Sequence, residues 1–147
     1  MKTLSLIILI SLGTFTSTAT DWLRVHNLTM HGIDRLYDLE IEAAKSAFDS
    51  VSIIAPGDPR GPFFQSMLSF YLYGLNREEK DLSDFFQTSE RVIDVCENLL
   101  DQNGNDATTK FYLGGIYGYR GLAFQTSGSI LKAARDGAKD IYYLRRP

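Results

Sequence analysis

Two histidines, His26 and His31, are the residues of this chain that most readily suggest chemistry. Together with Asp34 and Asp38 they could form a metal site or a hydrolytic centre. The histidines are five residues apart, however, so they do not share a helix face as an i, i+4 pair does. We therefore expect no metal and no cofactor, and interpret both histidines as surface or interface residues. A hydrolase that uses His31 with Asp34 or Asp38 is the enzymatic alternative.

A run of glycines in the C-terminal third is the second unusual group. No strand precedes it and it lacks Gly-Lys-Ser/Thr, so it does not have the pattern of a phosphate-binding loop. Each glycine costs about 1 kcal/mol relative to alanine inside a helix. We predict that Gly114, Gly118 and Gly121 offset this cost by letting a neighbouring helix approach closely. Backbone access for a ligand is the alternative.

The elements that must position these residues are helical. Apolar residues recur at three- and four-residue steps, and no segment alternates with a period of two. The predicted helices cover residues 29–39, 40–54, 63–75, 82–100, 107–125 and 130–144. Cys96, the only cysteine, lies on the apolar stripe of the fourth predicted helix, which predicts a buried thiol and not a nucleophile.

The N-terminus has the pattern of a secretory signal peptide. Lys2 precedes an apolar stretch over residues 4–12, and Ser17 to Ala19 supply the small residues that a signal peptidase recognises. The stretch is about nine residues long, whereas a bilayer span needs about 20. We predict a signal peptide over residues 1–19, cleavage after Ala19 and a mature domain over residues 20–147.

Composition limits the partner and the compartment. The net charge is −3, without the basic stripe that a nucleic-acid-binding surface needs. No later segment is long and apolar enough for a membrane span. A single cysteine cannot form an internal disulfide, which for an exported protein favours a bacterial periplasmic or outer-envelope location.

The best-defined motif is Ala44-x3-Phe48-x2-Val51-x4-Pro56. Its spacing is that of the second helix of a tetratricopeptide repeat, and Gly32 lies where the first helix of such a repeat has a small residue. The chain thus resembles a divergent tetratricopeptide-repeat protein. Two less complete copies of the motif follow. In the second copy the matching residues are Ser66, Ser89, Ile93 and Cys96. In the third they are Leu113, Gly114, Tyr117, Ala134, Ala138 and Ile141.

The resemblance implies an all-α fold of three antiparallel helical hairpins, stacked as a short tetratricopeptide-like α-solenoid. It also implies a partner-binding concave face lined by the first helices. The residues at these positions are Arg60, Phe63, Met67, Phe70, Tyr71, Thr108, Phe111, Gly115, Gly118 and Tyr119. Aromatic residues, methionine and arginine are enriched at interface centres. For Phe63 and Phe70, a place in the core is an equal alternative.

From this resemblance we expect a non-catalytic scaffold or adaptor, not an enzyme. It would bind a protein or peptide of the bacterial cell envelope through the concave face. Besides the hydrolase, a structural spacer that oligomerises is the remaining alternative.

Overall fold

The computed structural model describes residues 19–145, and this part of the chain is all-helical, without a strand. Six α-helices follow one another with short connections. Their bounds are α1 Ala19–Tyr37, α2 Ile41–Ile54, α3 Arg60–Asn76, α4 Glu79–Gln102, α5 Ala107–Thr126 and α6 Ile130–Arg145. The predicted bounds of the last five helices are within a few residues of these. The all-α fold class is confirmed.

The first helix starts earlier than predicted, at Ala19 and not near Thr29. Threonine is a common N-cap, so Thr29 has the sequence pattern of a helix start. Its hydroxyl instead donates to the carbonyl of Val25 at 2.8 Å, inside the helix. Val25, Thr29 and Gly32 are all buried and recur with the helical period, so one face of α1 is continuous. The predicted signal peptide lies outside the described residues, except that Ala19 begins α1.

The third helix also begins earlier than predicted, at Arg60 and before Pro62. Proline is tolerated in the first turn of a helix, because the amide groups there have no partner within the helix. The carboxylate of Asp58 accepts a hydrogen bond from the backbone amide of Arg60 at 3.0 Å. This bond gives the first amide of the helix a partner ahead of the proline.

Each helix packs against its neighbours along the chain. The most extensive contacts join α1 with α2, α3 with α4, and α5 with α6, while α2 also contacts α3 and α4 contacts α5. Across one helix, α1 contacts α3 and α3 contacts α5. Within residues 19–145, α2 does not pack against α4, nor α4 against α6. The odd-numbered helices therefore form one layer, and the even-numbered helices lie apart from each other.

The core lies where the helices pack against one another. Its fully buried residues are Ala44, Phe48, Val51, Phe85, Val92, Cys96, Leu113, Ile116 and Ala123. The buried position of Cys96 confirms the prediction of a core thiol, and burial raises the pKa of this thiol to about 12. A thiol that holds its proton so strongly is not a nucleophile at neutral pH.

The glycines of α5 pack against α6, as predicted. A Cβ atom added to Gly121 would lie 3.3 Å from the carbonyl oxygen of Ala133, and one added to Gly114 would lie 2.8 Å from Cγ of Leu144. At Gly118 the neighbour is Asp140, whose Oδ2 would be 3.0 Å away. The contacts along α5 run in the opposite order along α6, so the two helices are antiparallel.

The prediction for the third copy of the repeat motif is wrong on α6. Ala134, Ala138 and Ile141, the residues assigned to its packing positions, are all exposed. The side of α6 that meets α5 carries Ala133 and Gly137 instead. The same side of α6 carries the buried Asp136, and its bond to Arg120 of α5 holds α6 in this rotation.

A buried polar network fastens this last pair of helices to α4. The guanidinium of Arg120 on α5 donates to Oδ2 of Asp136 on α6 at 3.0 Å and to Oγ of Ser89 on α4 at 2.7 Å. Glu90 lies 2.9 Å from the third nitrogen of the same group, at the surface. Asp136 and Ser89 are fully buried, so Arg120 satisfies polar groups that water does not reach.

Candidate functional site

A continuous row of aromatic rings crosses from α3 to α5. Ring centroids are separated by 5.7 Å from Phe70 to Tyr119, 6.5 Å from Tyr119 to Phe63, 5.1 Å from Phe63 to Tyr112 and 5.5 Å from Tyr112 to Phe111. All four contacts are edge-to-face, the arrangement that the charge distribution of aromatic rings favours. We call these five residues the aromatic row. All of them except Tyr112 are among the site residues predicted from the sequence.

The aromatic row shows how the two helices are aligned. Phe63 contacts Tyr112 and Phe70 contacts Tyr119, and each contact is seven residues from the other along its own helix. Equal steps in the same direction mean that α3 and α5 run parallel. Seven residues are two helical turns, so both contacts lie on one face of each helix.

The residues of the aromatic row differ in exposure. Phe63 is buried, with 7% of its surface accessible, whereas Phe111 is 59% exposed. Phe70, Tyr112 and Tyr119 are intermediate. Phe63 therefore belongs to the core and packs beneath the exposed rings. Phe111 has the largest exposed fraction in the aromatic row.

Arg60 marks the other end of the predicted face. Its guanidinium forms two hydrogen bonds with the carboxylate of Asp58, at 2.6 and 2.9 Å, and these bonds raise the pKa of Arg60. The same group lies 6.0 Å from the ring centre of Trp22 on α1, which is 58% exposed and stacks on His26. The predicted face therefore reaches α1 through Trp22.

The remaining predicted residues lie around the aromatic row. Met67 and Tyr71 on α3 are half-buried, and Thr108 at the start of α5 is exposed. Gly115 leaves room for the ring of Phe63, which would lie 3.3 Å from an added Cβ. Gly118 opens onto α6.

A groove between α5 and α6 continues the site beyond the residues predicted for it. Its volume is about 810 Å³, within the range of ligand pockets. The lining residues are Gly118, Gly121, Leu122, Gln125, Gly128, Ile130, Ala133, Ala134, Gly137 and Asp140. We call this cavity the α5–α6 groove.

One face of α5 connects the aromatic row with the α5–α6 groove. Phe111, Gly115, Gly118 and Leu122 follow at steps of four, three and four residues, which places them along one side of a helix. Leu122, 52% exposed, extends this pattern by one turn and could have been found from the same spacing. Asp140 had no comparable signal, because its position depends on how α6 is rotated against α5.

The histidines do not form a site with their acidic neighbours. His26 stacks on Trp22 with the ring centroids 5.3 Å apart, and His31 is exposed. Asp38 forms an ion pair with Arg35 at 3.4 Å, and no hydrogen bond among the described residues joins His31 to Asp34 or Asp38. In the same part of the chain, no group of three His, Cys, Asp or Glu side chains is arranged to hold a metal ion.

Compared with known proteins, the chain matches no protein-family model, no curated protein and no solved structure. Between residues 19 and 145, none of the helices combines the length and the apolar composition needed to cross a bilayer. The site must therefore be interpreted from its own geometry.

Proposed function

We propose that this chain is a non-catalytic scaffold that binds a protein or peptide through the face formed by α1, α3 and α5. The single observation that carries the proposal is the aromatic row, which ends in the exposed ring of Phe111. Rigid aromatic surface beside an arginine is the chemistry enriched at the centres of protein interfaces. Its edge-to-face packing holds the rings in place before a partner arrives, which reduces the entropy lost on binding.

The proposed architecture is a short tetratricopeptide-like stack of three helical hairpins. It is supported by the order of helix contacts, since each odd-numbered helix meets the next odd-numbered helix as well as its own neighbours. It is also supported by Gly32, whose position in α1 lies against the ring of Phe48 in α2. In such a stack the layer of first helices is the usual binding surface.

The proposed setting is the bacterial cell envelope. It rests on the signal-peptide pattern of residues 1–19 and on the single cysteine, which is consistent with an exported chain stabilised by packing.

The test uses random peptides displayed on phage and selected against the full chain. Enriched peptides are synthesised, and their affinities are measured for the parent chain and for Phe111→Ser and Tyr119→Ser. We expect roughly tenfold or greater loss of affinity for both variants, as for an interface hot spot. Ile53→Ser is the control, because Ile53 is 78% exposed on α2, outside this face. Unchanged affinity in folded Phe111→Ser and Tyr119→Ser would contradict the proposal.

A self-associating spacer is the second candidate, favoured by the exposed apolar side of α6. Ile130 is 73% exposed, Leu131 88% and Ile141 51%. Exposed apolar patches of this kind mark contact surfaces. Light scattering over a range of concentrations separates the candidates, because a spacer increases in mass with concentration and a monomeric adaptor does not.

A further inference from the structure

We infer that the α5–α6 groove binds a cationic side chain of the partner, a lysine or an arginine, at the carboxylate of Asp140. This inference rests on the proposed function and specifies the chemistry that the partner must present at one position.

Asp140 lines the α5–α6 groove beside Gly118. An added Cβ at Gly118 would lie 3.0 Å from Oδ2 and 3.2 Å from Cγ of Asp140. The carboxylate therefore lies over a part of α5 that has no side chain. Asp140 lines the groove together with Gly118 and Gly121, so an incoming chain reaches the carboxylate from the groove.

Within residues 19–145, Asp140 is paired with no cation. No described residue forms an ion pair or hydrogen bond with its carboxylate. Asp136, one turn earlier, is bonded to both Arg120 and Arg135. Partial burial without a compensating charge raises the pKa of Asp140. A cation supplied by a partner would compensate this charge, which gives the groove a preference for positive ligands.

The neighbouring cations of α6 are already engaged elsewhere. The ammonium of Lys132 lies 5.3 Å from the ring centre of Phe124, and Lys139 donates to the hydroxyl of Tyr117 at 3.1 Å. Arg135 is bonded to Asp136 at 3.0 Å. None of these contacts involves Asp140, so the partner's cation does not have to displace an internal one.

The groove has an apolar wall beside the carboxylate. Leu122 and Ile130 are both more than half exposed at the rim, and Ala133 and Ala134 line the groove. Lysine and arginine carry an apolar stem behind a charged end, which suits a cavity with one carboxylate and apolar walls. A phosphate or carboxylate ligand would be repelled by Asp140. A metal ion would need more than one protein ligand.

The groove is placed so that one partner can occupy both parts of the site. Phe111, Gly115 and Gly118 share a face of α5, and Gly118 already belongs to the groove. A segment that covers Phe111 and continues along this face reaches Asp140. A partner bound in this way extends from the aromatic row toward α6.

The test uses four synthetic libraries of nine-residue peptides that differ only at the central position, which is lysine, arginine, glutamate or norleucine. Norleucine has the stem of lysine without the ammonium group. Binding of each library to the full chain is measured by fluorescence anisotropy at low and high salt. We expect the lysine and arginine libraries to bind about tenfold or more tightly than the norleucine library, as for hydrogen bonds between charged groups. The preference should shrink as salt is added.

Variants distinguish this inference from the proposed function. In Asp140→Asn the lysine and norleucine libraries should bind equally, with the norleucine affinity unchanged, and Asp140→Glu should restore part of the preference. Phe111→Ser should weaken all four libraries. Binding without a preference for lysine or arginine in the parent chain would overturn the inference and leave the proposed function intact. Failure of every library to bind would contradict both.

Discussion

Gly32 of α1 lies directly against the ring of Phe48 of α2. An added Cβ at Gly32 would overlap this ring, with Cδ1 at 2.8 Å and Cζ at 2.9 Å, and Phe48 is fully buried. The small residue of the first helix and the aromatic residue of the second are therefore complementary in shape. This contact gives a physical reason for the spacing of the motif, in which Gly32 precedes Ala44 by twelve residues and Phe48 by sixteen.

Gly32→Ala is expected to destabilise the fold. The added methyl group needs space that Phe48 occupies, and overpacking of this kind costs about 1–3 kcal/mol. Gly74→Ala is the matched control, because Gly74 lies in α3 with nothing within 4 Å of an added Cβ. Alanine should stabilise that position by about 0.5–1 kcal/mol through its helix propensity. Urea unfolding measures both changes, and equal effects of the two substitutions would show that the contact with Phe48 is unimportant.

Arg120→Ala is expected to cost about 3–5 kcal/mol, because it leaves the buried carboxylate of Asp136 without its buried partner. Arg135→Ala removes the other cation that contacts Asp136, but the side chain of Arg135 is 61% exposed, so the loss should be at most about 1 kcal/mol. Chemical denaturation measures the difference. The double variant Arg120→Met with Asp136→Leu should recover much of the lost stability, since it removes both charges together. Similar losses of stability in Arg120→Ala and Arg135→Ala would show that the burial of Arg120 does not determine the strength of its ion pair.

Cys96 is expected to resist thiol reagents in the folded chain. Burial raises its pKa to about 12, so at pH 8 the thiol is protonated as well as inaccessible. A chromogenic disulfide reagent should react only at the rate at which the chain unfolds, and fully in urea. Ser83→Cys gives the control, because it places a second thiol at an exposed position of α4, the same helix. If Cys96 in the folded chain reacted as fast as the added thiol, the reagent would have access to the core and the prediction would be wrong.

Asp140→Asn is expected to leave the stability at pH 7 unchanged or raised. Burial raises the pKa of Asp140, so the folded chain binds this proton more tightly than the unfolded chain does. Ionisation therefore disfavours the folded state as the pH rises through the folded pKa, and asparagine avoids this cost. Below the unfolded pKa of about 3.9 the advantage should vanish, because both states are then protonated. Thermal unfolding of the parent chain and the variant at pH 7 and at low pH measures this difference in stability. A loss of stability at pH 7 in Asp140→Asn would reveal an internal partner of the Asp140 carboxylate.

The helical core of this chain is predictable from its sequence because the spacing of apolar residues determines which face of a helix is buried. The steps between Ala44, Phe48 and Val51 place them on one buried face, and the same period identifies Cys96 as core. The glycines of α5 lower its helix propensity, and close packing against another helix is expected to offset that cost. The structure shows that this helix is α6. In these cases local pattern and tertiary packing agree.

Other features of the fold and of the candidate site depend on how the helices are rotated against one another. The spacing of residues within one helix does not determine that rotation. Ala134 and Ala138 match the repeat pattern, yet α6 turns Ala133 and Gly137 toward α5. The buried bond between Asp136 and Arg120 holds that rotation. The pair of Arg120 and Asp136 joins residues of different helices, and its sequence separation is typical of no motif. The burial of Phe63 is likewise open at the level of sequence, since an aromatic residue suits a core and an interface equally well.

The network around Arg120 has a consequence for hydrogen exchange. Among the described helices α6 packs only against α5, so its opening disturbs the rest of the fold least. Opening α6 exposes Asp136 and separates it from Arg120, and Arg120 in turn holds Ser89 of α4. Amides of α6 should therefore exchange at a lower free energy of opening than those of α4, and the opening that exposes them has to break the buried pair of Arg120 and Asp136.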